Sequence, residues 1–233
     1  AEDGIRDARS SLVGSEMCIR DSSSNAGVRP PCQTPPLSSN AGVRPSCQTP
    51  GTGTGTRGTI AAVKTLVVHA HPLEESYSAA LRDVVCDALT TRGIEHTLVR
   101  LAQGEEPELA GDALEHLIAV YPTWWGGLPA VLLDWLQRTL GPHIDGSLPT
   151  EESPFASVRR ITVVCTHGSS LFMNNLQGQP GKQTWSRVIM PLCRPDAEFE
   201  WVARYTLDRT EEHDRTAFLD EVRAHFTTSA APA

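Results

Sequence analysis

The chain has 233 residues, is 39% apolar, and carries a formal net charge of -8 with a pI near 5.5. An acidic chain repels nucleic acid and anionic membrane surfaces, so we expect neither as a partner. No apolar stretch approaches the roughly 20 residues of a spanning helix, and no secretory signal is visible, which predicts no membrane span and a cytoplasmic location. The six cysteines show no C-x-x-C spacing, which predicts reduced thiols.

The first 58 residues differ in kind from the remainder. Residues 23–35 and 38–50 are identical at twelve of thirteen positions with a period of fifteen, and Pro, Ser, Gly and Thr dominate. Such a composition buries too little apolar surface to offset chain entropy. We predict a disordered low-complexity tail at 1–58, of net charge +1, and one domain at 59–233, of net charge -9. GSEMCIRDS at 14–22 resembles translated sequencing-adapter sequence, so the biological origin of part of the tail is open.

From residue 64 onward, strand and helix patterns alternate. The predicted strands are 64–70, 96–101, 117–121, 160–165 and 198–205, and the predicted helices are 76–92, 127–140, a stretch near 182–192, and 211–226. This alternation predicts an α/β domain of the flavodoxin-like kind, with a five-stranded parallel sheet and helices on both faces. Only about fourteen residues separate Leu101 from His116, which leaves little room for the second crossover helix. A damaged gene model therefore stays an alternative.

A first candidate site lies where the first strand ends, in HAHPLEESYSAAL at 69–81. His71, Ser76 and Ser78 stand at the mouth of a helix, where free N–H groups and the helix dipole favour an anion by about 0.3 to 2 kcal/mol. In the alternative interpretation, Ser76 is only an N-cap and Ser78 a surface residue. Neither a P-loop nor a Rossmann glycine fingerprint is present, so the pattern predicts an anion site of another kind.

The same segment also resembles the AHPDDE signature of zinc-dependent sugar N-deacetylases. Leu73 stands where that signature has its general base, and Glu74 stands where it has a zinc-ligating Asp. A catalytic zinc needs three protein ligands and one open position. The sequence therefore predicts no metal site, and zinc-dependent deacetylation is kept as a distant alternative. His69, within the strand, is predicted to be a packed core residue.

Two further loops complete the candidate site. YPTWWGGLPAVLLDWLQRTL at 121–140 places adjacent tryptophans, Trp124 and Trp125, at a strand-to-helix junction. Ligands of open α/β sheets bind at this level, outside the carboxyl ends of the strands. THGSS at 166–170 follows the fourth strand, and Gly168 permits close approach of a ligand to the backbone. A phosphate-type mouth, an aromatic loop and a small-residue loop together are typical of a flavin site in a flavodoxin-like domain.

Across residues 64–226 the chain resembles the flavodoxin-like NAD(P)H:quinone oxidoreductase family. The motifs that carry the resemblance are HPxxxSxS at 71–78, PTWWGGLPAVLLDW at 122–135 and THGSS at 166–170. The resemblance implies three sets of flavin contacts: His71, Ser76, Tyr77 and Ser78 at the phosphate; Pro122, Thr123, Trp124, Trp125 and Gly126 along the ring; Thr166, His167 and Gly168 at its polar edge.

It also implies an NAD(P)H dehydrogenase (quinone)-like enzyme, with FAD or alternatively FMN, and with NAD(P)H as co-substrate. Such an enzyme passes a hydride through the flavin to a quinone or similar flat electrophile, and works as a homodimer with its active site at the subunit boundary. His167 stands where the family commonly has Gly and is the one candidate catalytic side chain, with shaping of the loop as the alternative. A flavodoxin-type electron carrier and a regulatory flavoprotein of a transporter stay open.

Overall fold

The computed structural model describes residues 64–107, 109 and 114–228, so the predicted tail at 1–58 and the domain start at 59 lie outside the described residues. The strands are β1 (Thr65–His69), β2 (Thr97–Arg100), β3 (His116–Pro122), β4 (Arg160–Thr166) and β5 (Glu198–Arg204). The α-helices are α1 (Tyr77–Thr91), α2 (Ala130–Ile144), α3 (Leu171–Leu176), α4 (Pro180–Gln183) and α5 (Glu212–Thr228). Across these ranges, no helix has both the length and the apolar composition that crossing a membrane requires.

The five strands form one sheet in the order β2-β1-β3-β4-β5, and every neighbouring pair is parallel. The flavodoxin-like fold class predicted from the alternation of elements is thereby confirmed. Because β2 lies on one side of β1 and all later strands on the other, the strand order reverses between β1 and β3. Such a switch point leaves a crevice at the carboxyl ends of the two strands. The register pairs His69 with Val120 and Pro122 with Thr166, which brings the three following loops to the same edge.

Helices cover both faces of the sheet and enclose two cores. All seven residues of β3 are buried, as a central strand requires. Leu117 and Tyr121 point into the core beneath α2, whereas Ile118 and Val120 point into the core beneath α1 and α5. The continuous apolar run of β3 therefore follows from burial on both sides.

Local chemistry explains the bounds of α1. Ser76 has an extended backbone, and its hydroxyl accepts the N–H of Ala79 at 3.1 Å, which caps the helix. At the other end Gly93 takes φ 68, and its N–H donates to the carbonyl of Thr90 at 2.9 Å. Residues 76 and 92, predicted as the limits of this helix, are its two capping residues.

Three helical segments differ from the prediction. The helix predicted at 127–140 begins at Ala130, directly after its N-cap Pro129, and ends at Ile144. Residues 171–176 form α3, which is too short for a periodic pattern and is capped by Ser170, whose hydroxyl accepts from Met173 N–H. The helix predicted near 182–192 is split into α4, a π-helical segment Thr184–Ile189 and a 3-10 turn Met190–Leu192. Pro191 lacks the N–H that an α-helix needs there. Between β2 and β3, the described residues contain a 3-10 turn and no α-helix.

Candidate functional site

His71 and Trp124 meet across the switch point of the sheet. His71 follows β1, Trp124 follows β3, and their ring centroids lie 5.7 Å apart with the planes at 62°. The backbone N–H of Leu73 donates to His71 Nδ1 at 3.0 Å, which fixes the orientation of a buried imidazole. The loops after β1 and β3 are thus held together at the level where the sequence predicts a ligand.

Residues 124–127 form a tight turn of unusual backbone shape. Trp124 N–H donates to the carbonyl of Gly127 at 3.2 Å, and Gly127 N–H donates to that of Trp124 at 2.9 Å. The central residues Trp125 and Gly126 have φ of 54 and 77, which is the pattern of a type I′ turn. Glycine adopts this region freely, but a bulky residue there costs about 1 to 3 kcal/mol. The turn therefore holds Trp125 under strain.

The turn also separates the two indoles. Trp124 is half-buried against His71, whereas Trp125 is 84% exposed. The two side chains therefore lie in different environments. Neither belongs to either of the two cores.

His167 lies inside the protein, within a chain of hydrogen bonds. The Thr123 hydroxyl donates to the carbonyl of Thr166 at 2.9 Å, and because it has one hydrogen it accepts from His167 Nδ1 at 3.0 Å. His167 Nε2 then accepts from the Cys165 thiol, with 3.5 Å between Nε2 and Sγ. Burial lowers the pKa of His167 to about 4, so the ring is neutral at pH 7. Both ring nitrogens are thus engaged by neighbouring side chains of the protein.

Tyr205 lies beside the candidate site and is absent from the residues that the sequence analysis named. It follows β5, its ring stacks on His167 at 4.5 Å and 16°, and its hydroxyl accepts from Trp201 Nε1–H at 3.3 Å. Thr206 N–H donates to the carbonyl of Ser169 at 3.0 Å, which ties this end of β5 to the THGSS loop. Tyr205 is the last residue of the predicted strand 198–205, and this position at the carboxyl end of a strand could have indicated that it lies near the other loops.

At the mouth of α1, the predicted side chains make contacts within the protein. Ser76 caps the helix, Ser78 Oγ lies 3.2 Å from His69 Nε2, and Tyr77 donates its hydroxyl hydrogen to the carbonyl of Arg215 at 2.8 Å. All three residues are buried. His69 is buried as well, as predicted, and burial lowers its pKa to about 4. Because the N–H of Ala79 is taken by Ser76, what remains for an anion are the N–H groups of Tyr77 and Ser78 and the hydroxyl hydrogen of Ser76.

Glu74, a carboxylate close to this mouth, is neutralised. Its Oε2 pairs with Arg82 Nη1 at 2.8 Å, and its Oε1 lies 3.9 Å from Arg100 Nη1. The hydrogen bond from Arg82 lowers the pKa of Glu74, so the carboxyl stays ionised within this pairing. Glu74 is therefore engaged by arginines and not set as a metal ligand. Within the described ranges, no three His, Cys, Asp or Glu side chains are grouped to hold a metal ion.

Backbone donors line the edge beside Gly168. The N–H of His167 is used by β5, since it donates to the carbonyl of Arg204 at 2.8 Å. Within the described residues, no acceptor is paired with the N–H groups of Gly168 and Ser169, nor with those of Trp125 and Gly126. A Cβ on Gly168 would stand 2.8 Å from Asp208 Oδ2, so a side chain here would displace that carboxylate. The family resemblance implies that backbone donors at 166–168 contact the polar edge of the flavin. In the structure, the N–H of His167 is already bonded to Arg204, whereas the N–H of Gly168 is available.

The sequence matches the family described as flavodoxin-like fold over residues 63–194, and the chain belongs to this family. Among solved structures the fold is similar to Smu.1420 from Streptococcus mutans UA159, with 18% identity, a TM-score of 0.56, and coverage of 72% of this chain and 100% of that one. An NAD(P)H:quinone oxidoreductase from Methanothermobacter marburgensis is similar at 15% identity and TM-score 0.54, over 72% and 96% of the two chains.

A third similar structure is an FMN-dependent NADH-azoreductase from Bacillus anthracis str. Ames Ancestor in complex with FMN. Its identity is 13%, its TM-score is 0.53, and the match covers 71% of this chain and 98% of that one. In the comparison with curated proteins, no match is found. Identities this low establish a shared fold, and an activity has to be argued from the site.

Proposed function

We propose that this chain is a flavin-dependent oxidoreductase that uses NAD(P)H to reduce a quinone or a similarly flat electrophile by two electrons. One observation carries the proposal: His71 and Trp124 contact each other across the β1/β3 switch point, with ring centroids 5.7 Å apart. Flavodoxin-like domains bind FMN at this point of the sheet. When bound, the flavin supplies the hydride chemistry. The chain's own residues bind it, orient it and exclude water.

The donors and charges of the site suit such a cofactor. The phosphate group would lie at the amino end of α1, a helix of 15 residues whose first-turn N–H groups and dipole favour an anion. The Ser76 hydroxyl adds a donor, and the pairing of Glu74 with Arg82 removes the nearest repulsion. The ring would lie along the turn at 124–127, and its carbonyl oxygens would accept from backbone N–H groups such as that of Gly168.

The arrangement needs no general acid or base from the protein. His167 is neutral at pH 7 and engaged on both nitrogens. We assign it, with Thr123 and Tyr205, the task of holding the ends of β3, β4 and β5 in register around the ring site. As cofactor we propose FMN ahead of FAD, supported by the fold shared with an azoreductase solved in complex with FMN.

We further propose that the working unit is a homodimer. Phe172 and Leu176, one turn apart on α3, are 74% and 71% exposed, and Trp125 is 84% exposed. Gly126 lies beside the segment directly after α3, because a Cβ on it would stand 3.4 Å from Gln177 Oε1. An exposed apolar surface next to a ligand site is typical of an interaction surface. A second copy covering it would also shield the ring site from water.

The experiment that tests the function begins with the flavin. We expect purified full-length protein to release FMN on denaturation, identified by chromatography, and to oxidise NAD(P)H in steady state when a simple benzoquinone is added. Trp124→Ala should lose flavin affinity and turnover, while Ile144→Ala, an exposed apolar position at the end of α2, should change neither. A protein that binds neither FMN nor FAD after reconstitution would contradict the proposal.

Turnover also separates the open alternatives. A flavodoxin-type electron carrier or a regulatory flavoprotein of a transporter would retain flavin without catalysing sustained NAD(P)H oxidation by the quinone. An azo dye in place of the quinone tests the range of flat acceptors, since an azoreductase shares the fold.

A further inference from the structure

A polar groove lies beside the end of α3, between it and the segment formed by α4 and the π-helical residues that follow. Its volume is about 270 Å³, and the side chains that line it are Asn175, Gln179, Lys182, Gln183, Ser186 and Arg187. Neither a carboxylate nor an apolar side chain is among them. Pockets that hold a whole small ligand span about 300 to 1,000 Å³. The groove therefore suits one polar end of a larger molecule.

The two cations of the groove have no ionic partner within the described residues. Most other arginines are paired, for example Arg82 with Glu74 at 2.8 Å and Arg138 with Glu106 at 2.6 Å. Lys182 and Arg187 form no such pair, although the chain as a whole carries a net charge of -8. Two unneutralised cations in one groove of an acidic protein favour an anionic ligand.

Backbone geometry brings these two side chains together. Residues three or four apart share a face of an α-helix. Lys182 and Arg187 are five apart, and they line one groove because the π-helical segment Thr184–Ile189 widens the helix between them. Gly178 and Gln179 both have left-handed backbones, with φ of 78 and 48, and Gln183 Nε2–H donates to the carbonyl of Gly178 at 2.8 Å. Left-handed non-glycine residues and π-helical turns are both frequent at functional sites.

The groove adjoins the turn that carries the tryptophans. Gly181 N–H donates to the carbonyl of Gly126 at 3.4 Å, and Pro180 Cγ stands 3.6 Å from the position of a Cβ on Gly126. Lys182 follows Gly181 directly. A dinucleotide whose nicotinamide lies over a flavin ring held along the turn at 124–127 can therefore extend its charged end toward the groove.

We propose that this groove binds the 2′-phosphate of NADPH and makes NADPH, rather than NADH, the electron donor. The inference rests on the proposed function, which supplies the dinucleotide. A phosphomonoester carries about -1.5 to -2 charges at pH 7 and three acceptor oxygens, which two cations and several amide and hydroxyl groups complement. The arginine guanidinium can donate two parallel hydrogen bonds to a phosphate, and the lysine ammonium supplies a point charge. NADH has only a hydroxyl at this position and gains nothing from the pair.

The test is calorimetric titration of the full-length protein with 2′,5′-ADP and, separately, with 5′-ADP. The double variant Lys182→Gln with Arg187→Gln removes both charges and keeps polar side chains of similar length. We expect it to bind 2′,5′-ADP roughly tenfold more weakly, a change equal to about 1.4 kcal/mol, with its affinity for 5′-ADP unchanged. Arg223→Gln, which removes a cation from the exposed face of α5, is the matched control and should leave both affinities unchanged. In steady state, the double variant should raise KM for NADPH and not for NADH.

Unchanged 2′,5′-ADP affinity in the double variant would overturn the inference, as would a wild-type protein that does not bind 2′,5′-ADP. Equal weakening of both nucleotides would overturn the assignment to the 2′-phosphate. Because 2′,5′-ADP cannot donate a hydride, its binding is independent of turnover. A protein that binds it through Lys182 and Arg187 but never reduces a quinone contradicts the proposed function and leaves the groove assignment standing. Equal melting temperatures of the variants exclude misfolding as the cause of weaker binding.

Discussion

His167 stacks on Tyr205 with the ring centroids 4.5 Å apart and the planes within 16° of parallel, although 38 positions separate the two residues in the chain. The contact joins the loop after β4 to the end of β5. Hydrogen bonds from His167 to Thr123 and from Cys165 to His167 extend it to β3 and β4. One neutral imidazole thus links three of the loops that surround the candidate site.

The first prediction concerns acid stability. Burial lowers the pKa of His69, His116 and His167 to about 4, against an ordinary value of 6.5. The unfolded chain therefore binds more protons than the native protein between these pH values, so the free energy of unfolding falls as the pH drops from 6.5 toward 4. Each histidine contributes at most about 3 kcal/mol to this loss. Urea denaturation at pH 7 and pH 5 measures it.

A single variant checks the cause of that pH dependence. The Thr162 hydroxyl donates to Glu200 Oε2 at 2.8 Å, so it accepts from His116 Nε2 at 2.9 Å. A glutamine amide can replace this donor without titrating. His116→Gln should therefore lose less stability between pH 7 and pH 5 than the wild-type protein. Equal losses in both proteins, or none in the wild type, would contradict the assignment to buried histidines.

A second prediction concerns the strained turn. Trp125→Gly replaces a bulky residue at φ 54 with the residue that adopts this backbone freely. Because the side chain is 84% exposed, little packing is lost, and we expect the apo protein to be equally stable or more stable by up to about 1 kcal/mol. If the Trp125 indole contacts the flavin ring or the second subunit of the proposed homodimer, the affinity for flavin should fall. Thermal unfolding and fluorescence titration measure the two effects, and a destabilised variant would contradict the strain argument.

A third prediction separates ligand contact from packing. Trp124→Ala should weaken flavin binding while the apo protein melts near its normal temperature, because this indole is half-buried at the edge and belongs to neither core. Trp135→Ala is the matched control, since Trp135 is 3% exposed within the core beneath α2 and its loss should cost about 3 to 5 kcal/mol. If Trp124→Ala leaves flavin affinity and quinone reduction unchanged, the turn is not a ring site.

These features also show what the sequence can reveal. Ser76 and Gly93 each bond to a residue three positions away at its own end of α1, so the limits of this helix follow from local chemistry. The alternation of strands and helices was enough to predict the sheet. The contact of His167 with Tyr205 depends on the register of β4 and β5, which no local pattern encodes. Lys182 and Arg187 line the same groove because of a π-helical turn. Their spacing of five residues does not place them on one face of an α-helix, so the sequence does not indicate that they are neighbours.

A fourth prediction concerns the thiols. Cys86, Cys165 and Cys193 are free, and burial raises the pKa of Cys86 to about 11 and that of Cys193 to about 12. The thiolate is the reactive form, so we expect slow alkylation by iodoacetamide at pH 8 until the protein unfolds. Thiol reductant should leave the melting temperature unchanged. A clear drop under reductant would reveal a disulfide that the described cysteines do not form.

The last prediction asks whether the mouth of α1 binds a phosphate or is only capped. Ser76 accepts the N–H of Ala79 at 3.1 Å, and its hydroxyl hydrogen is left for an anion. Ser76→Asp keeps a good N-cap, but Ser76 is buried, so the new carboxylate is desolvated and the free energy of unfolding of the apo protein should fall by about 1 to 3 kcal/mol. The new carboxylate would repel a phosphate at the same helix end, so FMN affinity should fall by tenfold or more, roughly 1.4 kcal/mol.

Ser76→Ala is the companion variant. It loses the cap, at a cost of about 1 kcal/mol in the free energy of unfolding, but adds no negative charge, so its FMN affinity should fall less than that of Ser76→Asp. Titration with riboflavin, which lacks the phosphate, controls for effects on the ring, and both variants should bind it as the wild type does. If Ser76→Asp binds FMN with wild-type affinity, no phosphate lies at this helix, because a negative charge at the helix end would repel a dianion beside it and weaken binding.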